Sequence, residues 1–188
     1  MMNEFYNNNW KKYIAETENI DMTFIYDTFT PRLPAGGHIL DVGFGSGRDM
    51  RAFIKRGFKV SGIDPCKEFV EYNKDLDVRQ LTVEELDEEN KYDAIFASAS
   101  LIHVEDITKA LDNCYRALKE GGIMFATFKY GEFEGIKEGR YLHYQTLDTL
   151  RVHLSDTDFV TVDFFITDDV RSERREKQER WFNIILKK

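Results

Sequence analysis

The sequence predicts a three-layer α/β/α sandwich around a seven-stranded, mainly parallel sheet with an antiparallel last strand. Three observations carry this. Short apolar runs alternate with helically spaced segments through the middle of the chain, which implies right-handed crossovers and helices on both sheet faces. The first apolar run opens directly into a glycine-rich turn (Gly43-Phe44-Gly45-Ser46-Gly47). The chain then closes on two apolar runs with no helical pattern between them, and such runs pair antiparallel most easily.

In chain order, the first thirty residues are rich in aromatics (Phe5, Tyr6, Trp10, Tyr13, Phe24, Tyr26, Phe29) and read as one or two helices beside or over the sheet. His38–Val42 reads as a buried strand, and Arg48–Arg56 as a helix with Met50, Phe53 and Ile54 apolar. Phe58–Ile63 is the next strand, followed by a helix over Lys67–Lys74 and a short strand over Asp77–Leu81. Tyr92–Ala97 is a stronger strand, and Ile107–Leu118 a helix stopped by Gly121-Gly122. Ile123–Phe128 is the fifth strand, followed by a long irregular stretch, and Leu147–Leu154 is a helix. Phe159–Thr167 and Trp181–Leu186 form the closing pair, joined by a charged loop. One domain is expected over residues 1–188: an N-terminal helical segment (1–35) and the sheet-bearing core (36–188).

Composition excludes several classes. A 188-residue chain with 42% hydrophobic and 32% charged residues has material for one sizeable core. No apolar run reaches the roughly 20 residues of a membrane span, and the N-terminus lacks a secretory-signal pattern. The two cysteines, Cys66 and Cys114, are too few for a disulfide framework, so a reducing cytoplasm is expected. A net charge of −8 repels phosphate backbones, which sets nucleic acid aside as a partner. The basic residues Arg171, Arg174, Arg175, Lys177 and Arg180 are interleaved with Glu173, Glu176 and Glu179 and read as a mutually paired loop. The four histidines show no metal-ligand spacing, so no metal is expected.

The sharpest feature is the turn after the first strand. Glycines let the backbone turn tightly and let a ligand approach, and the helix that follows points free N–H groups at an anion. Asp64 ends the second strand twenty-one residues after Gly43, the position from which a carboxylate receives ribose hydroxyls. A nicotinamide dinucleotide and S-adenosylmethionine both fit this frame. The glycine spacing departs from Gly-x-Gly-x-x-Gly, and Asp41 just before the turn repels a pyrophosphate while suiting an ammonium group, which favours S-adenosylmethionine. A nicotinamide-dependent oxidoreductase and a non-catalytic S-adenosylmethionine-binding protein stay open as alternatives.

On these residues the chain resembles class I S-adenosylmethionine-dependent methyltransferases, and most of all small bacterial members labelled tellurite-resistance-related. The resemblance rests on Asp41-Val42-Gly43-Phe44-Gly45-Ser46-Gly47-Arg48-Asp49, Gly62-Ile63-Asp64-Pro65, Tyr92–Ser98, Leu118-Lys119-Glu120-Gly121-Gly122 and the final Trp181–Leu186. It implies a Rossmann-like core under an N-terminal lid, and S-adenosyl-L-methionine as methyl donor with S-adenosyl-L-homocysteine as product. It also implies that Gly43, Gly45 and Gly47 line the methionine end, that Asp41 faces its ammonium, Arg48 its carboxylate and Asp64 the ribose, with Pro65, Leu81, Thr82, Ala97 and Ser98 completing the cofactor site. Thr82 stands where relatives often carry an acid near the adenine. His103, after the fourth strand, is the candidate catalytic base. Lys129 and Glu132 after the fifth strand, Tyr144 with Tyr141 and His143 beyond it, and Tyr6 and Tyr13 in the lid are candidates for holding a small-molecule acceptor. A monomer or homodimer is expected.

Overall fold

The computed structural model describes residues 2–188, with side chains from Phe5 onward. Two helices, α1 (Met2–Thr17) and α2 (Thr23–Phe29), precede the core. The core then runs β1 (His38–Val42), α3 (Arg48–Lys55), β2 (Lys59–Asp64), α4 (Lys67–Tyr72), β3 (Val78–Gln80), β4 (Tyr92–Ser98), α5 (Ile107–Ala117) and β5 (Leu118–Lys129). It continues with β6 (Glu134–Lys137), β7 (Arg140–His143), α6 (Leu147–Leu154), β8 (Val160–Asp168), α7 (Ser172–Glu176) and β9 (Arg180–Lys187).

Seven strands form one sheet in the order β3-β2-β1-β4-β5-β9-β8. β9 runs antiparallel to both its neighbours, and the remaining pairs are parallel. The expected architecture therefore stands. β1 lies centrally, with Leu40 beside Ser61 on one flank and Ile95 on the other. Strand order reverses there, so the crevice beyond the carboxyl ends of β1 and β4 is where an open α/β sheet receives ligands.

Alternation along the strands feeds two cores. Ile95 and Ala97 of β4 face the α5 and α6 side, packed with Leu111, Leu150 and Phe182. Ala94 and Phe96 face α2 and α3, where Phe29, Phe53, Phe96 and Phe125 make a wholly buried aromatic cluster. Phe96 and Phe125 stack at 4.9 Å between ring centres, and Phe53 meets Phe96 edge-on at the same distance.

Two expectations are corrected. Gly121-Gly122 does not stop α5, which ends at Ala117; Leu118 is already paired with Tyr92, and the glycines lie within β5. Gly122 serves a tight approach there, since a Cβ would sit 2.8 Å from the Lys119 carbonyl. The stretch after β5 is not irregular. It holds the hairpin β6–β7, closed by Glu138-Gly139 with φ of 53° and 75°, a two-residue turn with both residues left-handed. The loop between the closing strands also contains the short helix α7.

Candidate functional site

The glycine turn sits at the carboxyl end of β1 and is anchored by Gly43 N–H donating to the Ile63 carbonyl at 2.7 Å. Gly43 and Gly47 have φ of 75° and 76°, and a Cβ would fall 2.4 Å from Ser100 Cβ at the first and 2.2 Å from Asn73 Oδ1 at the second. Both positions therefore require glycine for conformation and for close packing. Asn73 ties the turn to α4 by donating to the Gly45 and Phe69 carbonyls at 3.0 and 2.9 Å.

Two carboxyl groups lie beneath this turn. Asp64 accepts from Gly45 N–H at 3.0 Å and Cys66 N–H at 2.8 Å. Burial pushes its pKa up to about 6 against the opposing pull of those N–H groups. Asp41 is 1% exposed, and its Oδ2 is buried with no hydrogen-bond partner. Burial, with the charges of Asp49 and Asp64, drives the Asp41 carboxyl well above the usual carboxylate range, and Arg48 offsets this only in part. A buried carboxyl under strain of this kind gains most from a cation. Ser100 Oγ and Thr127 Oγ1, past β4 and on β5, are also buried and unpartnered. The ends of three adjacent strand segments thus hold unspent polar groups at the switch point.

Arg48 is committed elsewhere. Its guanidinium forks onto Asp49 with two bonds of 2.8 Å and donates to the Thr17 carbonyl at 3.1 Å, while Tyr26 donates to the same Asp49. That pairing takes the charge a cofactor carboxylate would seek.

Helix α1 closes over the turn. The Tyr13 ring lies 3.0 Å from the point a Gly45 Cβ would occupy and packs against Phe69 at 5.3 Å. Tyr6 meets Tyr13 edge-on at 5.4 Å and donates its hydroxyl to His103 Nε2 at 2.8 Å. His103 Nδ1–H donates to the Tyr141 carbonyl at 2.9 Å, which assigns the tautomer: a carbonyl can only accept, so Nε2 carries the lone pair. Burial lowers the His103 pKa to about 4, so the ring is neutral at pH 7.

Above the ends of β4 and β5 opens a cavity of about 930 Å³. Of the expected residues, Tyr6, Tyr13, Arg48, Ser98, His103, Lys129 and Tyr144 line it. Lys129 is 9% exposed, pairs with Glu179, and lies 5.8 and 5.7 Å from the Tyr144 and Trp181 ring centres. Asp41, Gly43, Gly45, Gly47 and Asp64 do not line it; Gly45 lies under Tyr13 of α1. Pro65, Leu81 and Thr82 sit together at the ends of β2 and β3, where Leu81 N–H donates to the Asp64 carbonyl at 3.2 Å and Thr82 binds Glu85. Ala97 is wholly buried in the sheet. Glu132 is exposed and off the cavity wall, a correction that follows from the hairpin carrying the chain outward. Tyr141 bonds Glu134 at 2.6 Å, and the His143 ring packs on His153 at 5.5 Å, so both side chains are occupied away from the cavity.

Sequence reasoning missed Arg140 and Thr127, which also line the cavity, and the left-handed Ala99 (φ 55°) at its edge. The Glu138-Gly139 dipeptide was the signal for the hairpin that delivers Arg140. Among the described residues, no group of three or more His, Cys, Asp and Glu is placed to hold a metal. No helix there is long and apolar enough to cross a membrane.

Residues 40–126 match the family described as a methyltransferase domain. The ubiquinone biosynthesis O-methyltransferase of Nitrobacter winogradskyi is 35% identical over 101 residues, covering 50% of this chain and 39% of that protein. The chain spans about two fifths of the length of the curated relatives it matches. Among solved structures, the 1,6-didemethyltoxoflavin-N1-methyltransferase of Burkholderia thailandensis, with bound 1,6-didemethyltoxoflavin and S-adenosylhomocysteine, is similar with a TM-score of 0.78 at 17% identity, covering 99% of this chain and 86% of that one. The [4+2]-cyclase SpnF is similar with a TM-score of 0.77 at 17% identity, covering 99% and 94%. The resemblance to class I methyltransferases therefore holds, and the Rossmann-like fold is theirs.

Proposed function

We propose that this chain is an S-adenosylmethionine-dependent methyltransferase whose acceptor is a small molecule seated in the cavity beside His103. Fold alone does not decide this, because one fold hosts different chemistries, and the cyclase among the similar structures is an instance. The observation that carries the reading is Asp41, a buried carboxyl with an unpartnered oxygen beneath a glycine turn. The residues present fit the group: Asp41 would receive the ammonium of a methionine moiety, Asp64 would receive ribose hydroxyls on its remaining lone pairs, and Pro65, Leu81 and Thr82 would border the adenine. A pyrophosphate fits poorly beside two carboxyl groups.

When bound, the cofactor supplies a methyl group already activated on a sulfonium. The chain's own work is then mostly positioning and exclusion of water, which can lower a barrier by about 7–11 kcal/mol. Tyr6 and Tyr13 of α1 would cover the reacting region, and their ring faces favour a cation. His103 Nε2 is the proton acceptor, reached directly or through the Tyr6 hydroxyl. Lys129 and Tyr144 would border the acceptor. Tyr13 lies on Gly45, so ligand entry would displace α1, in keeping with a lid role for residues 1–35. Two buried free cysteines suit a reducing cytoplasm.

Thermal denaturation with S-adenosylmethionine, S-adenosylhomocysteine and NAD tests the reading. The first two are expected to raise Tm and NAD to leave it unchanged. Asp41→Asn, which keeps the shape and removes the charge, is expected to weaken S-adenosylhomocysteine at least tenfold, the scale of one charge-assisted hydrogen bond. Stabilisation by NAD alone would overturn the assignment.

A further inference from the structure

The cavity differs electrically from the rest of the molecule. Eight basic side chains line it against seven acidic ones, in a chain whose net charge is −8. Four of these basic groups are already held by carboxylates. Arg48 is forked onto Asp49, and Arg171 onto Asp169 with bonds of 2.8 and 2.7 Å. Lys129 and Arg174 share the single carboxylate of Glu179.

Arg140 is less committed than these four. Its side chain is only 17% exposed and lies over the Phe5 ring, 4.8 Å from the ring centre. Its Nε is buried with no hydrogen-bond partner. Among the described residues its carboxylate contact is a 3.3 Å bond to Glu138, itself 71% exposed and two residues away across the hairpin turn, a pair of the kind that contributes little. The guanidinium acts on Tyr6 by its charge and by a side-chain hydrogen bond, and on His103 by its charge, so it stands where the Tyr6–His103 pair meets the cavity. A planar group with five donors, one of them buried and unused, matches an oxyanion in geometry as well as charge. The neutral His103 does not compete as a cation. Tyr6, Tyr144 and Trp181 supply flat walls in the same cavity.

We propose that Arg140 is a specificity-determining residue that binds an anionic oxygen group, a carboxylate or phenolate, on a flat organic methyl acceptor. This rests on the methyltransferase reading.

Binding can be measured without turnover. A panel of hydroxybenzoates, each paired with its amide, is titrated calorimetrically into the full chain with and without S-adenosylhomocysteine. At least one acid is expected to bind tenfold or more tightly than its amide, and Arg140→Gln to abolish that preference. Arg140→Lys is expected to recover part of it. Glu138→Gln, on the exposed turn, removes the competing carboxylate and is expected to strengthen the acid two- to fivefold; it also guards against misfolding of the Arg140 variants. No acid preferred over its amide in the unaltered chain, or a preference that survives Arg140→Gln, overturns the proposal. If S-adenosylhomocysteine binds and no acid is preferred, only the anion reading falls; if S-adenosylhomocysteine fails to bind, the methyltransferase reading falls by itself.

Discussion

At the scale of single residues, His103 and Asp64 show how burial sets protonation near one crevice. The His103 pKa is depressed to about 4, so the unfolded chain, with an ordinary histidine near 6.5, takes up its proton first as pH falls. The stabilisation from neutral His103 is complete above pH 6.5 and is lost as pH drops toward 4. Asp64 works the opposite way: its pKa is raised to about 6, so its contribution to stability falls as pH rises from about 4 to 6. The two partly cancel in the intact protein, and a variant separates them. The stability advantage of the intact chain over His103→Gln is expected to grow between pH 4 and 6.5 in urea titrations. In NMR, the His103 ring is expected to show no protonation above pH 5; a midpoint near 6.5 would mean that the ring is solvated and not held between Tyr6 and Tyr141.

At the scale of elements, α1 is the part whose position matters most and whose own chemistry explains it least. Its attachment is largely aromatic, with Tyr6 and Tyr13 on Phe69, Trp10 on Tyr72 and the Tyr6–His103 hydrogen bond, joined by buried Ile14 and by Arg48 donating to the Thr17 carbonyl. Helices held by a few contacts open more readily than core strands. Hydrogen exchange is expected to be fast in α1, slow in β1 and β4, and to slow in α1 on addition of S-adenosylhomocysteine. Tyr6→Phe, which deletes one hydroxyl, is expected to speed α1 exchange severalfold and leave β4 unchanged. Equal speeding in both would show that α1 is part of the core. The aromatic content of the first thirty residues announced helices packed on the sheet, and nothing in their local pattern named Gly45 as the seat of Tyr13. The hairpin β6–β7 was less legible still. Its strands are four residues each, β6 mostly exposed and β7 half-buried on both faces, so neither shows the alternation that marks a half-buried strand.

At the scale of the whole molecule, one sheet is shared by two cores, so neither can loosen alone. Phe96 links them through β4: its ring meets Tyr26, Phe29, Phe53 and Phe125, and Ile95 and Ala97 on either side of it face the other core. Phe96→Ala is expected to cost about 3–5 kcal/mol, read as a lower denaturation midpoint with a single transition. Two separate transitions would show that the cores unfold independently.

Strand and helix periodicity, the glycine turn and the acid twenty-one residues beyond it are short-range features, and each is written where it acts. They determined the seven-stranded sheet, its antiparallel last strand and the placing of Asp41 and Asp64 under the turn. The tertiary structure alone decided that Arg48 is spent on Asp49, that Tyr6 reaches His103 across 97 positions, and that a two-residue turn brings Arg140 to the same wall. These are contacts between residues distant in the chain or dependent on an unread turn. Their partners are chosen by how the sheet closes and how helices settle on it, and no local spacing encodes that choice.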